Sequence, residues 1–192
     1  MPQPTPIVLA SASPRRQELL RNAGIEFTVV PAHIPEVPLQ GELPVVFAER
    51  MAREKAQAVR KSAPGRIILA ADTDVSIGTT ILGKPVNQDD AARMLELLSG
   101  QTHCVTTAVC LLGDGFEDVR SETTAVQFTS MSPAEIQEYV ATGEPMDKAG
   151  AYAIQGLGSR WIAKIEGDYY NVVGLPVDLV GRMLREHHVL GS

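Results

Sequence analysis

Aromatic residues are scarce in this chain. Phe, Trp and Tyr make up 5% of its 192 residues, with a single Trp, so a surface that binds nucleic acid by stacking bases is poorly supplied. Positive charge is not in excess either. Lys and Arg number 17 against 23 Asp and Glu, a net charge of −6, which argues against a non-specific binder of DNA or of membrane surfaces. A polyphosphate ligand is not excluded, because a local cationic cluster can sit on an acidic chain. Long apolar runs are missing. Nothing approaches the roughly 20 apolar residues of a membrane helix, and the start, MPQPTPIVLASASPRR, has a short apolar run and no basic leader, unlike a signal peptide. Cysteine is limited to Cys104 and Cys110 in one strand-like run. Six residues of extended chain hold them roughly 20 Å apart, beyond disulfide reach, which suits a reducing compartment. The expectation is a cytoplasmic protein with no nucleic-acid and no membrane partner.

What is present is ordinary globular material, 44% hydrophobic and 21% charged, in a length that fits one domain spanning 1–192. Ile7–Ala10 reads as a strand, and Ser13-Pro14 as the capped start of a helix that Gly24 stops. Phe27–Val30 is a second strand. The run 31–43, with three prolines and a glycine, is a loop, and Pro44–Lys61 is a helix. Arg66–Ala71 is a strand, with Val75–Ile77 and Thr80–Leu82 forming a hairpin about Gly78. Asn87 caps a helix that Gly100 ends. Two long strands, about Thr102–Leu112 and Val119–Thr129, meet at Gly-Asp-Gly. Ser132–Glu135 is a capping box opening a helix to about Ala141. A Gly-rich stretch over 143–158, a strand near Arg160–Ile165 and a helix from Pro176 to about His187 follow. Alternating helices and strands give an α/β class with a mixed sheet.

Three places break a local rule, and such breaks often mark function. Arg15 and Arg16 stand in the first turn of a helix, where the macrodipole prefers acids. With Ser11, Ser13 and free backbone N–H groups they would make a phosphate site; solvated surface arginines are the other reading. Lys55 falls inside the apolar arc of about 140° formed by Phe47, Ala48, Met51, Ala52, Ala58 and Val59, so its ammonium either snorkels or meets an anion. Asp72 ends the apolar run Ile67–Ala71, where α/β sheets open their ligand crevices; it would otherwise cap the next turn. Asp74 shares its strand face if that strand continues. Lys84 and the run 144–156 add polar residues on tight turns. The four histidines show no metal-ligand spacing.

Seven segments, LASASPRRQELL (9–20), AREKA (52–56), AADT (70–73), LGKP (82–85), LSGQTH (98–103), GEPMDKAGAYAIQG (143–156) and GDYYNVVGLP (167–176), together resemble the Maf family of nucleotide pyrophosphatases. The match runs from Ile7 to about Leu184. The resemblance implies a mixed twisted sheet flanked by helices, with a cleft between two lobes, like the inosine-triphosphatase fold. It implies hydrolysis of a nucleoside triphosphate to the monophosphate and pyrophosphate, aided by Mg²⁺ or Mn²⁺. It further implies a house-cleaning role in nucleotide pools, a link to inhibited septum formation, and a homodimer. The family's functional residues fall on Ser11, Arg15, Arg16, Glu36, Lys55, Asp72, Lys84 and Gln155. By this resemblance Asp72 is the catalytic carboxylate, and Glu36 and Asp72 are the metal candidates. Ser11, Arg15, Arg16, Lys55 and Lys84 bind phosphate. Arg15, Thr73 and Gln155 set the substrate, and all three are similar to the branch that prefers dTTP and UTP over 7-methyl-GTP. Asp74 departs from the family, which usually carries an aliphatic residue there. The charge chemistry agrees: a triphosphate's roughly four negative charges would meet several cations, and Mg²⁺ typically uses one or two carboxylates plus phosphate oxygens. The alternatives are a pyrophosphatase for modified or purine nucleotides, and a non-enzymatic septation regulator.

Overall fold

The computed structural model describes residues 6–189; the expected domain ends, at 1–5 and 190–192, lie outside the described residues. The strands are β1 (Ile7–Leu9), β2 (Phe27–Val29), β3 (Ile68–Ile77), β4 (Thr80–Leu82), β5 (Thr102–Gly113), β6 (Phe116–Phe128) and β7 (Ile162–Glu166). The helices are α1 (Pro14–Asn22), α2 (Pro44–Arg60), α3 (Gln88–Leu98), α4 (Pro133–Ala141), α5 (Tyr169–Val173) and α6 (Val177–Glu186). All strands join one mixed sheet in the order β2-β1-β3-β5-β6-β7, with β4 also on β3. β1 runs parallel to β2 and β3, and every other pairing is antiparallel.

Local chemistry explains the element ends. Ser13, Asn87 and Ser132 accept from the N–H three residues on, and Ser132 completes its box with Glu135. Asp114-Gly115 makes the two-residue turn between β5 and β6, with Gly113 opposite Phe116. Two elements differ from the sequence pattern. β3 does not stop at Ala71 but runs unbroken through the polar Asp72–Asp74. On α2, Ala56 is buried in place of Ala58.

Side chains alternate across β3, and this places the site. On one face two apolar clusters lie side by side. The first joins Leu69 and Ala71 of β3 with Val109 and Leu111 of β5, under α1 and α6. The second joins Val75 and Val105 with α3 and α4. Between them the same face carries Thr73 and Thr107, hydrogen-bonded to each other at 2.8 Å. On the opposite face Ala48, Ala52, Ala56 and Val59 of α2 pack on Ile68, Ala70, Ala108 and Cys110. Asp72 and Asp74 point to that face. Buried apolar surface of this extent contributes roughly 25 cal/mol per Å² and fixes both ends of β3, while the polar middle is left for other work.

No helix among the described residues is long and apolar enough to cross a membrane.

Candidate active site

The site begins with a gap in the sheet. One edge of β3 pairs with β1 at Ile68 and Leu69 and with β4 from Val75 onward. From Ala70 to Asp74 no strand lies on that edge. A cleft of about 610 Å³ opens there, within the range of small-molecule sites. It is lined by the Ser11–Arg16 turn, the loop at Pro31–Glu36, Lys55, Asp72, Thr73, Lys84, the 147–154 segment and Val172–Gly174. Five cations, Arg15, Arg16, Lys55, Lys84 and Lys148, face three carboxylates, Glu36, Asp72 and Asp147. The cleft is therefore locally cationic on an acidic chain.

The two arginines behave differently. Arg16 is turned inward. Its Nε donates to the Gly174 carbonyl at 2.8 Å, Nη1 to Ala71 O at 2.9 Å and to Ser11 Oγ at 3.4 Å, and Nη2 to Thr73 Oγ1 at 3.0 Å. It thereby satisfies a carbonyl on the bare edge of β3, and of its five N–H groups one is left. Arg15 has no hydrogen bond among the described residues and lines the cleft half-buried. Ser13 Oγ is occupied as the cap of α1, and Ser11 Oγ accepts from Ser13 N. Thr73 Oγ1 is shared between Arg16 and Thr107.

Lys55 resolves the charge on the α2 stripe. Its Nζ lies 2.5 Å from Asp72 Oδ1 and 2.8 Å from Glu36 Oε1, with Lys55 and Asp72 both buried and Glu36 open to solvent. It meets anions and does not snorkel. Burial pushes the Glu36 carboxyl up, but the hydrogen bond and charge of Lys55, with Lys84 and Arg16 behind it, hold it below the usual carboxylate value. Asp74 lies beneath Asp72. It is 5% exposed, and its Oδ2 has no hydrogen-bond partner among the described residues. Burial first, then the neighbouring Asp72, pushes its carboxyl far above the ordinary range.

The Gly-rich stretch over 143–158 forms the far wall. It is a chain of short 3₁₀ turns. Gly150, at φ +69°, lies so close to Val75 that a Cβ would stand 2.7 Å from it, so only glycine lets this segment rest on β3. Glu144 ties the stretch together, accepting from Tyr139 Oη at 2.6 Å and from the N–H groups of Leu157 and Gly158. Lys148, which lines the cleft, is paired with Asp147. Lys84 is exposed at the rim. Gln155 is exposed and is not among the lining residues; its neighbour Ile154 is.

Sequence reasoning missed a buried polar brace behind Thr73. Asn171, fully buried on α5, accepts from Thr107 N at 3.0 Å and donates to Val105 O and Thr124 Oγ1, each at 2.9 Å. Its amide bridges two residues of β5 as a neighbouring strand would. A polar residue between Tyr169-Tyr170 and Val172-Val173 was the available signal.

Comparison with known proteins agrees with this picture. Residues 6–187 match the family described as Maf-like protein. The chain is 55% identical to a dTTP/UTP pyrophosphatase of Koribacter versatilis (strain Ellin345) over 184 residues, covering 96% of this chain and 95% of that one. It is 53% identical to a protein of the same name from Syntrophomonas wolfei subsp. wolfei, covering 92% and 94%. A third, from Symbiobacterium thermophilum, is 49% identical, covering 94% and 93%.

Proposed function

The chain belongs to the Maf family, and from that premise we propose that it hydrolyses dTTP and UTP to the monophosphate and pyrophosphate. The observation that carries this reading is the Lys55–Asp72–Glu36 ion-pair cluster at the floor of a cationic cleft, beside the N-terminus of α1. The relatives named for this activity, matched along nearly their whole length, support the substrate class.

The chemistry asks for a water oxygen to form a bond to the α-phosphorus while the bond from that phosphorus to the bridging oxygen breaks. The electron pair leaves with pyrophosphate, and the water proton needs an acceptor. Asp72 is that carboxylate. Lys55 holds it in place through its contact with Oδ1. Arg15 and Lys84, without ion-pair partners among the described residues, are the cations offered to the phosphate chain. Arg16, its donors mostly committed, acts as a positioning residue for Ser11 and the bare edge of β3.

Glu36 and Asp72 are the residues that would hold Mg²⁺ or Mn²⁺. Their hard oxygen donors suit these ions, and the partnerless oxygen of Asp74, two residues from Asp72 on the same strand, supports the fit. A bound divalent cation would neutralise charge developing on the phosphate oxygens. A carboxylate that ligates a cation is a weaker base, so the two roles of Asp72 compete.

Substrate choice is assigned to Arg15, Thr73 and Gln155. Thr73 acts through Arg16 and Thr107. Gln155 would read the N3–H and O4 edge of uracil or thymine from its place beside Ile154. The test is kcat/KM for dTTP, UTP, CTP, inosine triphosphate and 7-methyl-GTP, with pyrophosphate as the assayed product. We expect dTTP and UTP to lead, and the UTP/CTP ratio to fall about 5- to 150-fold in Gln155→Glu, the scale of one bidentate base contact. Preference for purine triphosphates would overturn the substrate reading. An unchanged UTP/CTP ratio in the folded variant would remove Gln155 from base reading.

A further inference from the structure

We infer that Asp74 is an additional ligand for a divalent cation, so that Asp72 and Asp74 form a two-carboxylate seat on one face of β3. This deepens the functional reading above and rests on it. The geometry comes from strand continuity. Because β3 runs unbroken from Ile68 to Ile77, residues 72 and 74 project to the same face. Both side chains are deeply buried, the residues being 4% and 5% exposed, and Asp72 is within hydrogen-bonding reach of Asp74.

The second observation is the orphaned oxygen. Asp74 Oδ2 is buried with no hydrogen-bond partner among the described residues. A buried carboxyl oxygen left without a partner is costly, and the protein has not spent its nearby donors on it. Lys55 Nζ is taken by Asp72 and Glu36. Thr106, opposite Asp74 in the ladder, is bonded to Thr123 at 2.9 Å. Arg16 is fixed on the other face of β3 through Thr73. Asp74 Oδ2 is therefore left with no donor at hydrogen-bonding distance among the described residues, and a divalent cation would give it a partner. No cage of three His, Cys, Asp or Glu ligands is preformed among the described residues. The remaining coordination would come from water and phosphate oxygens, the usual arrangement for Mg²⁺.

Mn²⁺ alone, titrated calorimetrically into the full chain without nucleotide, tests this. Asp74→Asn keeps the size and can still donate to Asp72, whereas Asp74→Val restores an apolar strand residue. Both variants should weaken Mn²⁺ binding at least about tenfold, the lower end of what even an outer-shell metal contact is worth. Metal-free Asp74→Val should melt about 2–4 °C above the unmutated chain, yet gain less from added Mn²⁺. Mn²⁺ affinity within twofold of the unmutated chain in either folded variant would overturn the proposal, leaving Asp74 as a proton-sharing neighbour of Asp72. So would the absence of Mn²⁺ binding by the unmutated chain. Pyrophosphate release from dTTP, measured on the same preparation, is a separate readout: its absence would sink the activity and not the cation seat.

Discussion

At the scale of single residues the account turns on Lys55 and Asp72. Lys55 was legible in the sequence because an ammonium inside an apolar arc demands an explanation; what the sequence left open was its partner. The structure supplies two carboxylates, and this reverses a natural expectation for Lys55→Met. An apolar chain of similar length would relieve an isolated buried charge. Here it would strand Asp72 beside Asp74, and breaking one side of a buried pair costs about 3–5 kcal/mol. Lys55→Met should lower Tm by roughly 6–20 °C on the size scaling of such domains. Asp72→Asn should cut turnover about 100-fold or more with a smaller loss of stability. The double variant should recover much of the stability lost in Lys55→Met, a coupling that a thermal double-mutant cycle reads directly. Additive losses would contradict the pairing. Arg16 was only half legible. Its position in a helix first turn signalled an anion. Its actual partners are Ala71 O and the Gly174 carbonyl, 158 residues away, and no local pattern encodes a gap between β1 and β4 on the edge of β3.

At the scale of elements, caps and turns were read well because they are local chemistry. Ser13, Asn87, Ser132 and Asp114-Gly115 each do what their side chains or φ preferences dictate. Two elements escape the sequence pattern for an equally physical reason. The polar run Asp72–Asp74 interrupts the apolar pattern of β3, so one strand looked like two. Helix α5 is five residues long and flanked by Gly167 and Gly174, too short to show a period. It is held by Asn171, not by propensity. The 143–158 wall is coupled to β5 through His103, whose Nε2 lies 2.8 Å from Tyr152 Oη. His103 is 1% exposed, and burial pulls its pKa from 6.5 down to about 4. The unfolded chain therefore binds a proton between pH 6.5 and 4 that the folded one refuses. The His103 contribution is full above pH 6.5 and falls as pH drops through that window, by up to about 1.4 kcal/mol per pH unit, while the raised carboxyl of Asp74 works in the opposite sense and favours the folded state as pH falls from about 9 toward 4. The depressed carboxyls such as Glu144, held low by Tyr139 and two backbone N–H groups against the pull of burial, lose their contribution only below about 4.5. Urea melts of the unmutated chain and of His103→Gln at pH 7, 6 and 5 should differ by this slope. An unchanged slope in that variant would assign the acid sensitivity elsewhere.

At the scale of the whole molecule, two apolar clusters share one face of the sheet, and the polar centre of β3 separates them. The cleft is the consequence. Its floor is fixed by α2 from below and by the Arg16–Thr73–Thr107–Asn171 chain from above, so its charges are set before any ligand arrives. Preorganised charge of this kind is the largest lever most enzymes have on a reaction that develops charge. The overall α/β architecture followed from alternating periodicities, but a cationic cleft on a chain of net charge −6 did not follow from composition. It depends on five cations from four separate segments converging at one gap. In the proposed reaction Asp72 directs water to the α-phosphorus. Hydrolysis of dTTP in ¹⁸O-labelled water, with both products analysed by mass, tests it most directly. Pyrophosphate should be free of label and the monophosphate should carry one ¹⁸O, with both products lost together in Asp72→Asn. Label in pyrophosphate, or release of orthophosphate and the diphosphate, would contradict it.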